Sequence, residues 1–157
     1  MYLVAVLDWY SRYVVSWELS DGLEIGFVLR AVERTLAEAR PEIWNSDQGS
    51  HFTSPQYAGR LLAAGVRISM DGKGRALDNI FTERFWRTVK YDEVYLHGYE
   101  VPRDAERGLG RFLPRYNEER LHSSLGNLTP AVVYRGGAHA AAIHLGKNPK
   151  KEGEKPL

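Results

Sequence analysis

The chain has 157 residues, 43% hydrophobic, 26% charged and 11% aromatic, the make-up of an ordinary globular domain long enough to bury its own core. It holds no cysteine, which excludes disulfide scaffolds, cysteine-ligated zinc, iron–sulfur clusters and thiol nucleophiles; its longest apolar run, Leu3 to Leu7, is far short of the ~20 residues of a membrane span. The net charge of +1 hides an uneven distribution, since four Arg face seven Asp and Glu in residues 1–46 and the basic excess lies downstream of Asp47, too mild an asymmetry to mark a nucleic-acid binder by itself.

Tyr2 to Leu7 reads as a strand buried on both faces, followed by a turn at Asp8 to Arg12. Tyr13, Val15, Trp17 and Leu19 then alternate with Val14, Ser16 and Glu18, so the second run predicts a strand in a hairpin with the first. From Glu24 to Ala39 the apolar residues Ile25, Val28, Leu29, Val32 and Leu36 recur at helical spacing until Pro41. Glu42 to Ser46 is a short strand ending in the polar loop Asp47-Gln48-Gly49-Ser50. Ser54 caps a helix with Pro55 at its first position and Gly65 as its stop signal.

Val66 to Met70 is a further strand, and Asp71 to Arg75 a Gly-rich mobile loop. Asp78 can cap a helix reaching about Glu93, with Phe81, Phe85 and Val89 on its apolar face. A helix from about Arg103 to Leu121 is expected to break, because Gly108, Gly110 and Pro114 lie within it. Thr129-Pro130 starts a short helix through Tyr134, and the tail 136–157, with Lys147, Lys150, Lys151 and Lys155, is expected to be polar and disordered. A hairpin followed by helix, strand, helix, strand, helix predicts an α/β fold with a mixed sheet flanked by helices.

Two carboxylates stand at places where chemistry is often done: Asp47 at a strand end beside a glycine loop, and Glu83 on a helix after a Gly-rich loop. With 20 acidic residues in the chain, their spacing alone fits a turn cap and a solvated helix carboxylate equally well. On the Glu83 helix, Arg87 and Lys90 fall about 40° and −20° from Glu83 around the axis, so the three share a face. That face reads either as a phosphate-holding set or as a solvated stripe with a Glu-to-Arg pair, and Lys73 and Arg75 on the loop carry the same two readings. His51 and His122 lack metal-ligand spacing and are read as structural, while Trp9, Trp17, Trp44 and Trp86 are read as core or sheet-face aromatics.

The words around the carboxylates are more specific. Asn45-Ser46-Asp47-Gln48-Gly49-Ser50-His51-Phe52-Thr53-Ser54 closely resembles the "SDQGSQYTS" stretch of insertion-sequence transposases with a retroviral-type integrase core. Ser69 to Asn79 followed by Glu83-Arg84-Phe85-Trp86-Arg87-Thr88-Val89-Lys90 is similar to the loop and helix bearing that family's catalytic glutamate. Tyr116-Asn117-Glu118-Glu119-Arg120-Leu121-His122-Ser123-Ser124-Leu125 with Thr129-Pro130 resembles its closing signature. The blocks run in order over residues 2–135, taken as a partial integrase-type core. The resemblance implies a ribonuclease-H-like fold and metal-dependent DNA strand transfer. It makes Asp47 and Glu83 ligands of Mg2+ or Mn2+, and Lys73, Arg75, Arg87 and Lys90 DNA contacts.

In that family the first of three catalytic acids lies in a "DITY"-like stretch upstream of the residues matching Tyr2-Leu3. The resemblance therefore implies an N-terminally truncated core, its first strand missing and its two-ion site incomplete, inactive alone. Asp8 matches the family's turn after the second strand and is expected to bond the backbone near Ser11 and Arg12. The alternative is a non-catalytic remnant that binds DNA or associates with itself. DNA is the expected partner, with homo-oligomerisation through an exposed sheet edge. No secretory signal pattern follows Met1, so the expected location is the bacterial cytoplasm, in association with the nucleoid.

Overall fold

The computed structural model describes residues 1–70 and 80–136, so the loop reading for 71–75, the Asp78 cap and the tail beyond 136 lie outside the described residues. The elements run in chain order β1 (Tyr2–Leu7), β2 (Val14–Ser20), α1 (Ile25–Glu38), β3 (Ile43–Ser46), α2 (Pro55–Ala63), β4 (Arg67–Met70), α3 (Ile80–Val89), a π-helical turn (Lys90–Val94), α4 (Tyr95–His97), α5 (Pro102–Glu118), a 3-10 turn (Ser123–Leu125) and α6 (Pro130–Arg135). They divide into two compact units: Met1–Leu7 with Val15–Glu106, and Asp8–Val14 with the described residues from Arg107 onward.

In the first unit β1 pairs with β2, and β3 pairs in parallel with β4 in the register Ile43 to Arg67 through Ser46 to Met70. The connection between β1 and β2 is too short for the crossover a parallel pair requires, so the two form a hairpin. Among the described residues the strands thus form two ladders of two strands each. A common apolar layer spans both: Phe27, Val28 and Val32 of α1, Tyr57 and Leu61 of α2, Trp44 and Val66, with Val4 and Val6 of β1 and Ile68 of β4 packed against them. The helices end as the chain dictates. Ser54 accepts a hydrogen bond from the Tyr57 amide, Pro55 takes the first position, and Gly65 adopts φ +76° after the last turn of α2. The side chains of Arg60 on α2 and Glu33 on α1 are hydrogen-bonded, which holds the Glu33 carboxyl below the usual range.

One expectation about the hairpin is corrected, and the burial pattern of its second strand needs an account. β1 is half-buried rather than enclosed on both faces, with Tyr2 exposed. On β2 the deeply buried side is Val14, Ser16 and Glu18, and the more apolar set Val15, Trp17 and Leu19 is only partly covered. The reason is local satisfaction of polar groups. Ser16 Oγ donates to the Ala31 carbonyl at 2.7 Å and lies 2.8 Å from Thr35 Oγ1, while Glu18 pairs with Arg34 at 2.9 Å and Arg30 at 3.4 Å. Helix α1 therefore offers hydrogen-bonding groups where a pattern reading assumes an oily face, and a buried polar side chain with partners is tolerated. Trp9 is likewise exposed on the turn rather than a core or sheet-face aromatic.

In the second unit the Asp8 carboxylate accepts from the Ser11 amide at 3.0 Å and the Ser11 hydroxyl at 2.6 Å, closing the turn that precedes β2. Asn117 is buried and makes two hydrogen bonds to one residue: its Oδ1 accepts from the Val14 amide at 2.8 Å, and its Nδ2 donates to the Val14 carbonyl at 3.0 Å. Tyr13 and Tyr134 stack at 4.2 Å, and Arg135 forms a two-pronged bond with Glu118. Leu125 and Val133 form a small core with Tyr10 and Leu128. Helix α5 is continuous, contrary to the expected break. Ala105, Leu109, Leu113 and Tyr116 bury one stripe, whereas Gly110 and Pro114 are exposed, so the hydrogen bond that Pro114 cannot donate is lost on the solvent side where water replaces it.

Candidate functional site

Asp47 follows the last residue of β3 and is exposed, at the carboxyl end of a strand paired in parallel, the end at which open α/β sheets bind ligands. Its position is set by the loop that follows. Asp47 Oδ1 accepts from the Gly49 amide at 2.7 Å, and the Phe52 amide returns to the Gly49 carbonyl at 2.9 Å. A side chain at residue 49 would collide with this arrangement, because a Cβ there would lie 2.8 Å from Asp47 Oδ1 and 3.3 Å from Phe52 Cδ2. A larger residue in place of Gly49 would therefore displace the Asp47 carboxylate from its present position.

Beneath the loop, Tyr57 is almost fully buried, with its hydroxyl against Ser46 and Trp44 but without a hydrogen bond of full geometry. Burial pushes the phenol pKa up; Ser46 and Trp44 offset part of that rise, and the Asp47 charge adds to it. The hydroxyl therefore stays protonated across the working range and presents a dipole beside the strand end. Sequence reading missed this residue. Tyr57 sits at ordinary apolar spacing with Leu61 on α2, and nothing in the pattern marks its hydroxyl as different from the rest of the ring. His51 is structural: its Nε2 lies 2.6 Å from the Leu23 carbonyl, and its ring meets Phe27 edge to face.

Glu83 is in the first turn of α3 and exposed, with no ion pair among the described residues. An acidic group there is favoured by the helix dipole. Phe85 and Val89 are buried on the opposite side, which turns the Glu83, Arg87 and Lys90 stripe to solvent. The Arg87 guanidinium lies 5.9 Å from the centre of the Tyr91 ring, and no Glu83–Arg87 ion pair forms, so the solvated-pair reading of that stripe is not what the side chains do. Lys73 and Arg75 lie outside the described residues. Among the described residues no group of three His, Asp or Glu side chains gathers to hold a metal ion. The chemistry of the two exposed carboxylates nevertheless suits a hard divalent cation, which takes oxygen ligands and retains waters.

His122, in the second unit, packs edge to face on Tyr116 at 5.3 Å and pairs by its backbone with Leu128. Burial, then the charges of Arg120 and Arg12, pull its pKa down, so it is a neutral structural imidazole. Burial pushes Tyr116 up to about 12.

Comparison with known proteins covers nearly the whole described chain. Two family profiles, each described as "Integrase core domain", match residues 1–76 and 64–130. A transposase for insertion sequence element IS629 of Shigella sonnei is 30% identical over 145 residues, covering 91% of this chain and 48% of the relative. A transposase for insertion sequence element IS904 of Lactococcus lactis is 29% identical over 134 residues, covering 83% and 53%. The chain spans about half the length of the curated relatives it matches. The solved catalytic core domain of BIV integrase superposes with a TM-score of 0.70 over 88% of each chain at 18% identity, which fixes the ribonuclease-H-like α/β fold. No helix among the described residues is long and apolar enough to cross a membrane.

Proposed function

The chain belongs to the integrase core domain family, and from that premise we propose that it forms part of the catalytic core of an insertion-sequence transposase that joins DNA strands. The observation that carries this reading is Asp47: an exposed carboxylate at the carboxyl end of a parallel strand, held by the Gly49 amide in a loop where a Cβ at residue 49 would crowd it. Asp47 and Glu83 are the residues that would hold a divalent ion, Mg2+ or Mn2+. When bound, such ions polarise the scissile phosphate and stabilise both the attacking and the leaving oxygen. The chain's own groups have narrower tasks. The Gly49 amide fixes the rotamer of Asp47, and the Tyr57 hydroxyl lies beneath the strand end. Arg87 and Lys90 hold phosphate oxygens one and two turns along from Glu83, with Lys73 and Arg75, earlier in the chain, in the same role. The chain acts as an oligomer on DNA in the cytoplasm, close to the nucleoid.

A two-ion site needs a third acid, which the family resemblance puts upstream of the residues matching Tyr2 and Leu3. The test is a strand-transfer assay with labelled duplex ends and Mg2+, run on this chain and on one that includes sequence upstream of Met1. The longer chain is expected to join strands, and Asp47→Asn or Glu83→Gln is expected to abolish joining while DNA affinity falls steeply with salt in every variant. Strand transfer that survives both substitutions would overturn the assignment.

A further inference from the structure

Beyond the cationic stripe, α3 continues into a segment whose surface the proposed reaction does not use. Arg87, Tyr91 and Tyr95 follow one another at intervals of four residues. The Arg87 guanidinium lies over the Tyr91 ring at 5.9 Å, and the Tyr91 and Tyr95 rings meet edge to face at 5.2 Å. These contacts show a single column across the π-helical turn. Both rings are solvent-exposed, at 59% and 63%, although burying an aromatic side chain is ordinarily favourable. Glu83 stands one turn before Arg87, so the column begins at a proposed metal ligand and reaches Tyr91 about 12 Å along the axis, roughly three to four stacked nucleotides.

The acidic character of the segment has been partly withdrawn from this surface. Glu93 is buried, accepts a hydrogen bond from the Tyr99 hydroxyl and lies 3.6 Å from His97 Nδ1, which also meets the Glu93 carbonyl at 2.8 Å. The wide turn and Tyr99 thus take one carboxylate out of solvent, leaving Glu83 and Asp92 as the exposed acids beside Arg84, Arg87 and Lys90. Arg84 and Lys90 make no ion pair among the described residues. Two exposed rings flanked by cations suit a polyanion carrying flat, stackable groups.

We propose that Tyr91 and Tyr95 form a stacking platform for unpaired bases of the DNA whose backbone Arg87 and Lys90 hold. The proposal rests on the reading of this chain as a DNA-acting core. The two rings bind a frayed or overhanging strand by their faces, without hydrogen-bond readout, so the platform selects unpaired over paired DNA rather than one sequence over another.

The test uses the full chain and two oligonucleotides: a blunt duplex, and the same duplex with a short single-stranded overhang carrying 2-aminopurine. Wild type is expected to bind the overhang more tightly and to quench the 2-aminopurine. Tyr91→Ala and Tyr95→Ala are each expected to weaken overhang binding by about 5- to 150-fold, the worth of one base–aromatic stack, and to abolish quenching, with blunt-duplex affinity unchanged. Tyr91→Phe and Tyr95→Phe retain both signals, because stacking needs the ring and not the hydroxyl. Alanine variants that bind and quench like wild type would overturn the platform alone. So would equal losses on both DNAs, or an oligomer that dissociates on Tyr91→Ala while overhang binding persists. A wild-type chain that binds neither DNA would overturn the platform together with the reading beneath it.

Discussion

Replacing Asn117 with alanine tests what fixes Val14 within the second unit. The side chain makes both of its bonds to one residue, accepting from the Val14 amide at 2.8 Å and donating to the Val14 carbonyl at 3.0 Å, and both residues are buried. Truncation removes the partner of a backbone donor and of a backbone acceptor together. An unsatisfied buried polar group costs about 1–3 kcal/mol, so two cost about 2–6 kcal/mol, reduced toward the lower half as water enters the space left by the amide. Against the 5–15 kcal/mol typical of a domain this is a large fraction, corresponding to a fall in Tm of roughly 5–15 °C for a chain of this size. Urea unfolding followed by tryptophan fluorescence measures it directly, with Glu119→Ala on the exposed side of the same segment as a control expected within about 0.5 kcal/mol. An Asn117→Ala midpoint within the control's range would refute the argument, because it would mean the Val14 groups find equal partners without the amide.

Gly49→Ala is expected to push the Asp47 carboxylate from its seat, since the added Cβ would lie 2.8 Å from Oδ1; strand transfer by the longer chain should fall at least tenfold while the far-UV spectrum and Tm stay close to wild type. Ser54→Ala removes the cap of α2 and is expected to cost about 1 kcal/mol in urea unfolding. His122 has a folded pKa below its ordinary value of 6.5, so its contribution is full above about pH 6.5 and is lost as pH falls from there through the folded pKa. Stability measured from pH 8 to pH 5 should decline on the acid side, and His122→Phe should flatten that part of the curve.

The sequence and the structure agree where local chemistry decides. Ser54-Pro55 and Thr129-Pro130 start helices as their capping side chains require, Asp8 closes the turn onto Ser11, and Asp47 stands at the end of its strand. They part where a neighbour far along the chain decides. The buried side of β2 carries Ser16 and Glu18 because α1 brings the Ala31 carbonyl, Thr35 and two arginines to meet them, and no period-two pattern contains that information. Helix α5 survives Gly110 and Pro114 because both fall on its exposed side, a fact of facing rather than of propensity. The π-helical turn and the buried Tyr57 hydroxyl left no mark at all: the first is one extra residue in a helical run, the second one oxygen on an otherwise apolar ring.

The division of the strands into two ladders has a consequence for how the first unit transmits force. Continuity between the hairpin and the parallel pair runs through the side chains of α1 and α2, among them Phe27, Val32, Tyr57 and Leu61, and among the described residues no row of backbone hydrogen bonds crosses from one pair to the other. Side-chain packing resists compression but has no direction, whereas a ladder fixes register residue by residue. Register within the second pair is fixed by its ladder, Ile43 opposite Arg67 through Ser46 opposite Met70, whereas between the pairs it is set by side-chain packing. Asp47 stands at the tip of the second pair, so the height of its carboxylate against the hairpin depends on that packing, and a strand paired alongside would set it by register instead.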